Sequence, residues 1–175
     1  MLLALTLAAL APQTAAAAAE RGCIIEGLVP DQRVNLAERF ILGDMPAVEE
    51  IARQSAAKCA AQWKWSEDVR GWQILHSATY SAMIALESRL PKMLDSTRLE
   101  ALFGKLAGPD QFGLTNQGAA RLEPQAYTAM LRRVAALLTA EKVAAADLEN
   151  AGNWFVAYAQ FMESDAHLKA LATPG

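Results

Sequence analysis

Apolar residues recur at intervals of three and four along every long stretch of this chain, and no run alternates apolar with polar as a half-buried strand would. The expected fold is all-α, a helical bundle of about four to five main helices plus a short N-terminal helical arm. Of the 175 residues 53% are apolar, but 37 of them are alanine, which buries little area, so the core must be thinner than that fraction suggests. The length suits one domain, expected over residues 20–175. A net charge of -3 and a pI near 5.4 argue against electrostatic binding to nucleic acid or anionic lipid, both of which need clustered Lys and Arg.

The first nineteen residues contain no charged side chain, an apolar run from Leu2 to Ala11 and an alanine tract ending at Ala19. About ten apolar residues cannot cross a bilayer, which needs roughly twenty. They suit the apolar segment of a cleavable export signal, with the alanines supplying the small residues a signal peptidase reads. Residues 1–19 are therefore expected to be a signal peptide cut after Ala19, although such a signal normally opens with Lys or Arg and this one does not. Glu20, Arg21 and Gly22 ahead of Cys23 argue against lipidation of that cysteine. No later stretch is apolar for long enough to expect a transmembrane segment in the mature chain. Cys23 and Cys59 are the two cysteines, and in an exported chain the economical reading is one disulfide between them.

The segment Cys23 to Pro30 is the one short apolar stretch that could be extended. A first helix is expected from about Asp31 to Leu42, with Val34, Ala37, Phe40 and Ile41 inward and Gly43 as its stop. A second, capped by Asp44, carries Val48, Ile51, Ser55, Cys59 and Trp63 on one stripe. Ser66 opens the third and longest, which Pro91 ends, and a fourth runs from about Ser96 to Leu106. Gly108 to Glu123 reads as an irregular loop with at most one helical turn after Thr115. Pro124 then starts a strongly amphipathic helix with Tyr127, Met130, Leu131, Val134, Leu137 and Leu138 on one face, and the last helix spans about Asp147 to Leu171.

Motifs for a phosphate-binding loop, haem attachment, a zinc protease, a serine-hydrolase elbow or a di-iron bundle are missing, and no cofactor or metal is expected. His76, midway along the third helix, could act as a general base with Glu67 or Asp68 as a weak catalytic group, but a border histidine bonded to a neighbouring helix is the simpler reading. Glu163 and His167, four residues apart, read as a solvated ion pair in the last turns of the final helix. Glu49 with Glu50, like Glu67 with Asp68, suits first-turn electrostatics. Trp63, Trp65 and Trp72 crowd one turn, where Trp65 is either a lid on the core or an exposed anchor. Arg121, Arg132 and Arg133 could hold an anionic group. The expected protein is a periplasmic or secreted, non-enzymatic binding module for a protein or small ligand. An enzyme built on His76 and a purely structural envelope protein are the alternatives.

Overall fold

The computed structural model describes residues 20–172; the expected signal peptide, residues 1–19, lies outside the described residues. The elements are α1 (residues 20–26), α2 (Pro30–Ile41), α3 (Met45–Trp63), α4 (Glu67–Arg89), α5 (Ser96–Phe103), α6 (Gly108–Gly113), α7 (Asn116–Ala119), α8 (Pro124–Ala140), a 3₁₀ turn (Ala145–Asp147) and α9 (Leu148–Ala172). No strand occurs among the described residues.

Local chemistry sets most of the helix starts. Asp44, Ser66, Asp95 and Thr115 each accept a hydrogen bond from a first-turn backbone N–H of α3, α4, α5 and α7. Proline occupies the first turn of α2, α3, α6 and α8, where its missing N–H costs nothing. Gly43, with φ of 72°, turns the chain out of α2.

The centre of the bundle is the pairing of α4 with α9, the two longest helices and the pair in most extensive contact. The pairing is antiparallel: Trp72 meets His167, His76 meets Ser164 and Tyr80 meets Phe161, so partner numbers fall along one helix as they rise along the other. Ala78 and Ala82 on α4, and Ala151, Ala157 and Ala159 on α9, are buried and leave room for close approach. Trp154 and Phe155 are fully buried and fill the wider end, with Phe103 edge-on to Phe155.

Three expectations change. The stretch expected to be extended after Cys23 is helical to residue 26, because Ile24 is fully buried and its carbonyl accepts the Ser55 hydroxyl of α3 at 2.9 Å. The segment 108–123 holds, besides the expected turn after Thr115 (α7), a second short helix, α6, the two joined so tightly that a Cβ on Gly118 would overlap the Phe112 carbonyl. Asp110 in α6 accepts three hydrogen bonds from Arg133 of α8, the shortest 2.6 Å, which fastens the segment to the bundle. Val34 and Leu131, expected inward, are exposed, since Leu36, Ala37 and Phe40, and Met130 and Val134, make the buried stripes of their helices instead.

Cys23 and Cys59 form a disulfide with Cα atoms 6.0 Å apart, tying α1 to α3. Closing this loop lowers the denatured-state entropy by about 4 kcal/mol on the chain-entropy model. Cys59→Ser is expected to lower the melting temperature by on the order of 10 °C in oxidised protein and to change it little under reduction, as read by circular dichroism. An equal drop in both conditions would assign the effect to thiol packing.

Candidate functional site

The end of the bundle where α3 stops, α4 starts and α9 finishes carries the tryptophan turn. α3 closes on Lys64 in the left-handed conformation, with φ of 55°, a position usually left to glycine. That reversal sets Trp63 and Trp65 on either side of a concave groove of about 380 Å³, closed on the far side by Leu168 and Leu171 of α9 and by Glu20 and Arg21 of α1. Trp65 is half-buried and donates its indole N–H to Glu20 at 2.6 Å. Arg21 pairs with Asp165 of α9 at 2.5 Å, so both residues at the start of α1 are tied to the bundle end.

Two residues of this groove each carry a polar atom that is buried behind its wall and has no partner. The Trp63 indole N–H and the Gln73 side-chain carbonyl are both withdrawn from solvent, and Gln73 is 2% exposed. Such atoms are uncommon in folded proteins because an unmatched buried polar group costs about 1–3 kcal/mol. Ser77 Oγ and the Trp154 indole N–H are likewise unmatched, but those residues are wholly enclosed, whereas Trp63 and Gln73 border an opening.

His76 lies one turn inward from Gln73. It is 7% exposed, its Nδ1 is 3.3 Å from Ser164 Oγ, and its ring stacks on Phe161 at 4.5 Å. Burial pushes its pKa down from the ordinary 6.5 to about 4, against the attraction of Asp165 and with the repulsion of Arg21. Glu67 and Asp68 sit exposed in the first turn of α4, Glu67 paired with Arg70 at 2.7 Å, and roughly 12 Å of helix rise separates them from His76. The carboxylate that acts on His76 is Asp165, whose oxygens are engaged by Arg21 and Lys169.

Further along α9 the tryptophan turn and the 108–123 segment come together. His167 stacks on Trp72 at 4.0 Å and its Nε2 is 2.9 Å from the Gln117 side-chain nitrogen. Glu163 accepts the backbone N–H groups of Asn116 and Gln117 at 2.8 and 3.0 Å, so it caps α7 rather than facing His167 as a solvated pair. The three arginines do not converge: Arg133 is held by Asp110, Arg121 lies 5.7 Å above the Phe112 ring, and Arg132 is exposed on α8. Arg133 keeps the Asp110 carboxyl below the usual carboxylate range. No group of three or more potential metal-ligating side chains is found among the described residues, and no helix among them is long and apolar enough to cross a membrane.

Set against known proteins, the chain matches no family model, no curated protein and no solved structure.

Sequence reading pointed to Trp65 but missed Gln73 and Trp63 as unmatched polar groups. A glutamine on the apolar stripe of α4, one residue after Trp72, was the available signal.

His76 is neutral in the fold and free to protonate once unfolded. The unfolded chain therefore binds an extra proton between pH about 4 and 6.5, and stability rises with pH across that window. The stabilisation is complete above pH 6.5 and roughly 3 kcal/mol of it is lost as pH falls toward 4. His76→Leu is expected to flatten this part of the stability profile in urea titrations at stepped pH; an unchanged slope would show that another group titrates there.

Proposed function

We propose that this chain is an exported, non-catalytic binding module, acting in the periplasm or outside the cell, whose small ligand enters the groove at the tryptophan turn. The observation that carries the reading is the pair of unmatched buried groups bordering that groove, one a donor and the other an acceptor. A ligand offering an acceptor to the Trp63 indole and a donor to the Gln73 carbonyl, as an amide does, would reach them once its entry shifts the side chains that cover both atoms. The indole faces and leucines beside them suit an apolar or aromatic body, and the volume lies in the range of small-molecule sites. Lys64 in a conformation costly for a side chain is the kind of local strain that accompanies ligand clamps. Export is supported by the uncharged, alanine-ended leader and by the disulfide, which persists in oxidising compartments.

Titration with benzamide, followed through the indole N–H resonances of the four tryptophans, is expected to move the Trp63 and Trp65 signals and leave Trp154 in place. No movement of the Trp63 signal at millimolar ligand sinks the reading. Gln73→Leu is expected to raise the stability of the free protein by about 1–3 kcal/mol, because it removes an unmatched amide, and to abolish the shifts. Separately, cell fractionation with N-terminal sequencing should recover a chain beginning at Glu20 outside the cytosol; an intact Met1 in the cytosol would remove the export part.

A further inference from the structure

Along the C-terminal half of α4, α2 and α4 enclose a trough of about 560 Å³ that shares no lining residue with the groove above. Its lining is mostly apolar, and three exposed large apolar side chains meet there: Val34 at 62%, Ile84 at 52% and Tyr80 at 44% exposure. Ala37 and Ala85 leave the space between these walls unfilled, and Ile25 of α1 closes one side. Ile84 lies off the stripe that α4 packs into the core, and Tyr80, which touches Phe161 of α9, still leaves much of its ring exposed.

The charges at the two ends of the trough differ. At one end Arg89 is neutralised by an ion pair with Glu38. At the other, Arg33 gives its Nε–H to the Leu28 carbonyl at 2.9 Å, and no carboxylate stands within ion-pairing distance of its guanidinium among the described residues. That bond fixes the side chain at the mouth and leaves the terminal nitrogens uncommitted to any carboxylate. The helix span from Tyr80 to Arg89 is about 13 Å, the reach of a medium-length alkyl chain laid along it.

We propose that this trough binds a single-chain amphiphilic carboxylate as a monomer, its alkyl chain between α2 and α4 and its carboxylate on the Arg33 guanidinium. A guanidinium fork binds a carboxylate through two parallel hydrogen bonds, and apolar burial supplies the rest of the affinity. A second copy of this chain is the weaker occupant, because the trough is concave and Arg33 would need a carboxylate from its counterpart.

Isothermal titration of the oxidised protein with decanoate below its micelle concentration, beside decanol as the neutral chain of equal length, tests the assignment. Decanoate is expected to bind one to one. Arg33→Gln is expected to weaken decanoate roughly tenfold and leave decanol unchanged. Ala85→Phe, which fills the trough, should remove both. Ile84→Asp, at an exposed position that leaves the core intact, should remove decanoate even if the phenylalanine variant fails to fold. Equal effects of Arg33→Gln on acid and alcohol would overturn the carboxylate assignment. Dimerisation in light scattering that Ile84→Asp abolishes, or binding to anionic vesicles without binding to monomeric decanoate, would overturn the proposal as a whole. Loss of benzamide shifts at the tryptophan turn would leave it standing.

Discussion

Everything else in this protein hangs on the antiparallel contact between α4 and α9. Two long helices can lie this close only where side chains are small, and alanines and serines supply that surface on both. Polar groups swept into the contact are mostly satisfied locally: Thr79 bonds the carbonyls of Leu75 and His76, and Ser164 bonds that of Phe161. His76 is accommodated by staying neutral, which is why a buried imidazole is tolerated near neutral pH and becomes a liability in acid. The same contact delivers Glu163 to the backbone of α7 and His167 to the face of Trp72, so α9 positions two regions that are far apart in sequence.

The N-terminal arm depends on this frame and on the disulfide together. α1 supplies Glu20 to the Trp65 indole, Arg21 to Asp165 and Ile25 to the wall of the α2–α4 trough. The Cys23–Cys59 bridge and the buried Ile24 hold the arm in place. One redox-dependent bond thus stands behind a wall of each candidate site, which links the integrity of both to an oxidising environment.

The two sites differ in what marks them. At the tryptophan turn the marks are unmatched polar atoms buried beside a groove, each left without a partner at a free-energy cost. In the trough the mark is apolar surface left in water beside an arginine with no carboxylate partner among the described residues. A neutral amide suits the first and an amphiphilic anion the second, so the two would not compete for one ligand.

Much of the architecture was legible in the residues. The capping aspartates and serine, the first-turn prolines and the three-and-four spacing act within a turn or two of the chain, so they declared α2, α3, α4, α5, α8 and α9. With two cysteines the pairing had no alternative within the chain. The turn after Thr115 that became α7 was legible from its cap, but the short helix α6 was not, because Asp110 finds Arg133 only across the fold. Nor was the exposure of Val34 or the lack of a partner on Gln73 and Trp63, since helical periodicity reports that a side chain lies on an apolar face but not which neighbour reaches it. The amino-acid order alone determined helicity, helix ends and the disulfide, all products of local or forced pairing. Tertiary packing decided which charges are matched, which polar atoms are left bare and where clefts open, because those depend on groups that distant segments bring within a few ångströms.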